Sequence, residues 1–384
     1  MKPIRLPITL LALAAASTLA AAEPKFRQQD IDTKVGVGYG LQIADMDGDK
    51  KVDIILVDKD KVAWYKNPTW KKHQISGHLT KRDHVCVAAK DLDGDGKAEI
   101  AVGAQWSPND TVNSGAVFYL QPTADRSGDW KPIQLYHEPT THRMHWVRNS
   151  TGSHDLVVKP LHGRGNKNNA GAPLKVLAYK VPKDINKKWK TTLVCEFLHN
   201  SHNFHPVNWD KDTEEELLVT GQEGTWHLDR QKDNSWKRTA VSEEFGGEVR
   251  DGNLPDGRRI VATIEPRHGS KVVCYRQDGK SWKRTVLDTT FKDGHALACA
   301  DFLGTGGDQV VAGWRGMNPR AVPGLKIFIP KDKDYNEWET HQLSGAEIAV
   351  EDIKAADLNG DGKPEIIVAG RQTHNLKIFW NENK

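Results

Sequence analysis

Cysteine is scarce, with four in 384 residues. That is far too few for a disulfide-built scaffold. Beyond the N-terminus no apolar run approaches the roughly 20 residues that a membrane-spanning helix needs. Charge of one sign is also missing: 54 Lys and Arg face 51 Asp and Glu, a formal +3. The lysines are scattered and form no basic stripe, which argues against a nucleic-acid partner. Several catalytic signatures are absent too. There is no Gly-x-Ser-x-Gly elbow, no Rossmann or P-loop glycine fingerprint, and no His-x-His or His-Glu-x-x-His spacing. Serine hydrolase, dinucleotide and NTP chemistry therefore lack local support.

The one long apolar stretch lies at the start. Lys2 and Arg5 precede apolar Leu6 to Leu19, and Ala20-Ala21-Ala22 offers small residues for cleavage. Residues 1–22 read as a secretory signal. The mature chain is expected to begin near Glu23 and to be periplasmic or secreted, without membrane insertion.

What is abundant is one acidic loop. Asp91-Leu92-Asp93-Gly94-Asp95-Gly96-Lys97-Ala98-Glu99 recurs as Asp45 to Asp53 and as Asp357 to Glu365. Oxygen-bearing side chains occupy positions 1, 3, 5 and 9: Asp45, Asp47, Asp49 and Asp53; Asp91, Asp93, Asp95 and Glu99; Asp357, Asn359, Asp361 and Glu365. Alternate oxygens around a glycine-bearing turn suit a hard cation such as Ca²⁺. The flanks, Leu41-Gln42-Ile43-Ala44 and Ile54-Ile55-Leu56-Val57, are short strands rather than EF-hand helices. Weaker copies begin at Asn208 and Asp301, and worn ones lie at 252–257 and 149–155. From Asp45 to Asp357 is 312 residues, or six steps of about 52, a propeller-blade spacing.

Each unit predicts four strands, A to D, with the acidic loop between A and B. Strand D usually opens on Trp and a basic residue, as in Trp130-Lys131 and Trp236-Lys237. The seventh unit stops before its strand D, and Phe26 to Ile31 supplies the missing strand from the other end. Residues 23–384 thus read as a single all-β domain, a seven-bladed β-propeller closed by its N-terminal strand, with no open sheet edge at the seam. Cys86, Cys195, Cys274 and Cys299 fall on non-adjacent strands, which predicts four buried thiols and no disulfide.

In such a ring every strand A starts at the mouth opposite the acidic loops. Counting back from each loop places Tyr39, His84, His142, His202, Glu248, His295 and Glu351 there. The B–C loops add Trp106, His162, Arg164, Arg267, His268, Trp314 and Arg315. A lone histidine is usually structural, but several converging on one funnel point to a site. His84, His142, His202 and His295, with Tyr39, are the expected acid–base residues. The same histidines could instead hold a divalent metal in the funnel. Arginines there suit a carboxylate or an enolate, and the tryptophans offer flat faces for a sugar ring. Trp106, His162, Arg164, Glu248, Arg267, His268, Trp314, Arg315 and Glu351 are the expected substrate contacts. The acidic loops are expected to be structural, as Ca²⁺ sites or metal-free Asx-turns.

The Asp-x-Asp-Gly-Asp-Gly loops between strands resemble the FG-GAP/VCBS repeat propellers. A narrower resemblance rests on Arg82-Asp83-His84, Pro160-Leu161-His162-Gly163-Arg164, His202-Asn203-Phe204, Glu265-Pro266-Arg267-His268-Gly269, Asp293-Gly294-His295 and Gly313-Trp314-Arg315-Gly316. These segments look like the propeller domain of aldos-2-ulose dehydratase and, more distantly, rhamnose–glucuronate and ulvan lyases. The cupin domains of the fungal dehydratase lie outside this likeness, and their chemistry does not carry over. The resemblance implies a carbon–oxygen lyase acting on a keto-sugar or uronate-containing glycan. The alternative is a non-catalytic glycan- or protein-binding propeller. Either way the expected partner is a sugar or oligosaccharide, bound by a monomer or homodimer.

Overall fold

The computed structural model describes residues 23–316 and 321–383; residues 1–22, where a secretory signal is expected, lie outside them. Among the described residues there are 28 strands and no helix, arranged as seven four-stranded antiparallel sheets. Blade one has strand A at Gly40–Ala44, B at Asp53–Asp58, C at Lys61–Lys66 and D at Lys71–Ser76. Later blades repeat the order. Strand B is sandwiched between neighbouring blades, and in blades one, two, four, six and seven every residue of it is buried. This is why these segments are short, continuous apolar runs rather than alternating ones. Strand D forms the rim, and Lys71–Ser76 is mostly exposed until its last two residues.

The seam closes as the repeat requires. Phe26–Asp32 pairs antiparallel with Asn375–Asn381, placing Phe26 opposite Asn381 and Asp30 opposite Lys377. Side chains reinforce it: Lys377 reaches Asp30 at 2.9 Å, and the Trp380 indole N–H donates to Gln29 at 2.7 Å. No cysteine is paired. Cys86, Cys195 and Cys274 are buried, but Cys299 is only half-buried, which corrects the expectation of four buried thiols.

The acidic loops are held by their own carboxylates. The position-1 aspartate accepts the N–H groups of positions 4 and 6: Asp91 from Gly94 and Gly96, Asp357 from Gly360 and Gly362. The position-9 acid accepts the N–H of position 2, as Asp53 from Met46, Glu99 from Leu92, Glu216 from Trp209 and Glu365 from Leu358. Position 6 lies in the left-handed region, with φ of 84° at Gly96 and Gly362, where glycine has no Cβ to strain. Loop one puts Lys50 there, at φ 68°. Even the worn copy keeps the turn, for Asn149 donates to Asp155 at 3.2 Å.

His84 belongs to this framework. It is 0% exposed, and its Nε2 accepts the Leu79 N–H at 3.1 Å. Burial, its largest influence, lowers its pKa to about 4.

Two measurements test the framework. Deleting residues 26–32 leaves the Asn375–Asn381 edge unpaired; we expect a lower melting temperature and concentration-dependent association in light scattering. Unchanged melting and a monomer at all concentrations would refute the seam's role. For His84 the folded pKa lies below the unfolded one. Its contribution to stability is therefore full above about pH 6.5 and lost as pH falls toward 4. Between pH 7 and pH 5 the wild type should lose about 2 kcal/mol more than His84→Gln in denaturant titrations. Parallel pH profiles would contradict this.

Candidate functional site

Two strand-A starts and one B–C turn bring three histidines to the axis. His202 precedes strand A of blade four, His295 opens strand A of blade six, and His268 comes from the B–C turn of blade five. Ring centroids lie 4.3 Å apart for His202–His268, 4.7 Å for His268–His295 and 4.9 Å for His202–His295. One ring nitrogen from each falls within 4.8 Å of the other two. His142 stacks beside them, 4.6 Å from His202, and Trp106 covers it at 4.8 Å.

Glycine makes the His268 turn. A Cβ on Gly269 would stand 2.1 Å from the Glu265 carbonyl oxygen, and one on Gly247 would stand 2.0 Å from that of Arg267. The turn can be that tight, and dock that closely, only with glycine at both places.

The outer ring nitrogens are anchored. His202 Nδ1–H donates to Glu248 Oε1 at 2.6 Å, and Asn203 donates to Oε2 of the same carboxylate at 2.6 Å. His295 Nδ1–H donates to the Glu351 carbonyl, and His142 Nδ1–H to the His202 carbonyl at 2.8 Å. A carbonyl only accepts, so the proton sits on Nδ1 and the lone pair on Nε2 of His142 and His295. His268 Nδ1 lies 3.0 Å from Arg315 and 3.4 Å from Asp293, and its buried Nε2 has no partner. Carboxylate- and carbonyl-anchored histidines of this kind are how proteins orient metal ligands.

Burial holds all four histidines well below their ordinary pKa. Arg143 is the next influence on His142, His268 on His202, and Arg315 on both His268 and His295. They are neutral at physiological pH. Burial also pushes Glu248 up, opposed by Arg250 and Arg143. Behind the cluster runs an ion-pair chain. Arg315 pairs with Asp293 at 3.0 Å and Glu351 at 3.1 Å, and Arg371 pairs with Glu351 at 2.9 Å and lies 5.3 Å over the Tyr39 ring. The Tyr39 hydroxyl donates to Asp83 at 2.9 Å.

Beside the cluster is a polar cavity of about 690 Å³, whose walls include His162, Arg267, Asn166, Lys167 and Asp110. Arg267 joins the two, being next to His268 in sequence.

Not every expected residue is available. His84 lies outside the cluster, with its Nε2 occupied. Trp314 is 9% exposed, packed on Phe291 at 4.4 Å with Lys326 at 5.4 Å from its ring, so its indole is buried rather than open to a sugar. Arg164 reaches outward to Glu138 at 3.3 Å. Sequence reasoning missed Asp293 as the partner of Arg315. It also missed Lys159, fully buried in strand B of blade three, where it donates to the Ser201 hydroxyl at 2.9 Å.

On the acidic loops, candidate metal groups form from Asp45, Asp47 and Asp53, from Asp91, Asp93 and Glu99, and from Asp210, Asp212 and Glu216. Blade seven's set is not among those groups. The position-5 acids turn away, each accepting the N–H of position 7: Asp49 from Lys51, Asp95 from Lys97 and Asp361 from Lys363. In loop one the Lys66 ammonium binds both Asp47 and Asp49. Burial raises Asp53 to about 6 and Glu99 to about 7.

Comparisons with known proteins agree with this architecture. The FG-GAP-like repeat model matches residues 45–102 and the FG-GAP repeat model residues 87–120. No curated protein sequence matches the chain. Among solved structures, the exotype rhamnogalacturonan lyase YesX is similar at TM-score 0.54 and 14% identity, covering 94% of this chain and 75% of that one. BBS1N, solved in complex with ARL6DN, is similar at 0.56 and 12%, covering 93% and 96%. A lectin of Agrocybe aegerita that recognises non-reducing terminal N-acetylglucosamine is similar at 0.50 and 11%, covering 81% of each chain. Identities this low speak to the fold alone, and the three proteins differ in what they do. The chain carries FG-GAP repeats and is built as a seven-bladed β-propeller.

Proposed function

We propose that this propeller is a carbon–oxygen lyase acting outside the cytoplasm on a uronate- or keto-sugar. The observation that carries this reading is the juxtaposition of neutral, anchored histidines with a polar cavity of sugar size. Neutral imidazole is the form that takes a proton or binds a metal. His202 and His295 present anchored rings to a divalent ion such as Zn²⁺, and His268 completes the set in the tautomer whose Nδ1–H faces Asp293, 3.4 Å away; such an ion would supply Lewis-acid stabilisation of an enolate oxygen.

The rest falls to this chain's own side chains. His142, with Nδ1–H fixed on the His202 carbonyl, presents Nε2 as the base. It takes the proton α to the carbonyl or carboxylate; those electrons form the new C=C bond as the β C–O bond breaks. The imidazolium then returns that proton to the departing oxygen. Arg267 supplies positive charge on the substrate side, and Trp106 excludes water from His142.

A sugar-binding propeller without catalysis is the second reading. Its support is burial: His202 is 1% and His295 2% exposed, so a ligand in the cavity meets Arg267 and His162 first.

Ultraviolet absorbance on uronate oligosaccharides and keto-sugars should rise as unsaturated product forms. It should fall at least about 100-fold in His142→Ala, the usual weight of a general base. Elemental analysis should find one transition metal per chain, lost in His268→Ala. A flat trace with sugar binding retained in calorimetry would make the binding reading the better one.

We further propose Ca²⁺ in the acidic loops. Excess Ca²⁺ should raise the melting temperature by a few °C. Asp91→Asn should shrink that shift. Lys66→Met should enlarge it, because the internal cation no longer competes for Asp47 and Asp49. No response to Ca²⁺ or chelator would leave the loops as metal-free Asx-turns.

A further inference from the structure

Most funnel-side arginines have a carboxylate, and Arg143, which has none among the described residues, donates to the His142 carbonyl at 3.2 Å. Arg82 pairs with Asp110 at 3.2 Å, Arg164 with Glu138 at 3.3 Å, Arg315 with Asp293 and Glu351, and Arg371 with Glu351 at 2.9 Å. Arg267 is different. Among the described residues no carboxylate lies within ion-pair distance of it, and its Nε is buried without a hydrogen-bond partner. The nearest carboxylate to influence it, Asp293, is held by two nitrogens of Arg315. Burial and the neighbouring Arg315 both disfavour its charge. Arg267 is half-buried: its Nε is shut off from water and it lines an open cavity, so a guanidinium left there without an anion favours a ligand that supplies one.

Its surroundings describe that ligand. Arg267 lines the cavity of about 690 Å³, together with Lys167, His162 and the amides of Asn166, Asn168 and Asn169. The single carboxylate on the wall, Asp110, is already occupied by Arg82 and by the Asn113 N–H at 2.8 Å. The Asn166 amide oxygen is buried without a partner. Two cations and a row of amides match a sugar ring that carries both hydroxyls and a negative group. A planar fork of N–H donors suits an oxyanion.

We infer that the cavity selects sugars bearing an oxyanion substituent, a carboxylate or a sulfate ester, and that Arg267 is the residue that receives it. This deepens the sugar-site reading above and rests on it, but it requires no catalysis. It sets aside the neutral keto-sugars that the lyase reading alone would allow.

The test is calorimetry on the full mature chain. The probes are a glucuronate-containing disaccharide, its carboxyl-reduced form and a 6-O-sulfated neutral disaccharide. At least one acidic probe should bind about tenfold or more tighter than the reduced form, the scale of one charged hydrogen-bond pair. Preference for the uronate or for the sulfate ester identifies which oxyanion is meant. Arg267→Gln should abolish the preference, and Lys167→Gln should reduce it. If Arg267→Gln fails to fold by its melting curve, Arg267→Lys and a salt series on the wild type replace it, with the preference falling in both. Equal affinity for acidic and reduced probes, a preference that survives in folded Arg267→Gln, or no binding of any probe would overturn the inference. A flat ultraviolet trace with the preference intact overturns the lyase reading and leaves this one standing.

Discussion

Everything in this molecule depends on the ring being closed. One strand from the beginning of the chain completes a sheet begun at its end, and seven blades then share one axis. Closure forces every strand A inward and every strand D outward. It also fixes which ends of the A strands meet. Residues 142, 202 and 295 are far apart in sequence and touch because the ring leaves their strands no other place. The hydrophobic effect supplies the drive, since strand B of most blades is buried throughout, but geometry decides where the polar groups go.

Where they go is expensive. Histidines, glutamates and arginines at the mouth are buried, and the structure offsets this with pairing. Glu248 receives His202 and Asn203, while Glu351 receives Arg315 and Arg371. A buried network of this kind is stable only when its members are satisfied. The partial exceptions are informative: the His268 Nε2 and the Arg267 Nε are left over, and both belong to the proposed site. The acidic loops make the contrast. Many of their carboxylate oxygens accept backbone N–H groups of the same loop, which is why they read as structural even though their spacing looks like chemistry.

The architecture was legible because one motif was written several times. Asp91 to Glu99 set the register, and counting from it located His142, His202, Glu248, His295 and Glu351 near one another. Counting worked less well where a unit departs from that register. His84 needed one extra residue to fit, and its ring turns to the Leu79 N–H instead of the axis. His268 sits on a turn rather than a strand, so its place beside His202 and His295 had no periodic signal. The role of Asp293 and the burial of Lys159 depend on contacts between segments with no local pattern to announce them. Trp314 shows the limit of residue type: its indole is aromatic and near the mouth, yet it is buried against Phe291 and Lys326.

The seam also sets an order of events. The strand at Phe26–Asp32 is made before its partner at Asn375–Asn381, with the rest of the ring between them. Until Asn375–Asn381 has been made, the earlier strand lacks its partner. It waits as a bare edge while six blades can assemble from neighbouring sequence. Its composition suits that interval: Arg27, Gln28, Gln29 and Asp30 make it polar, a poor template for another chain's strand. Contacts this distant in sequence form slowly. Removing residues from either of these strands is therefore felt at both, because the two are one structural unit.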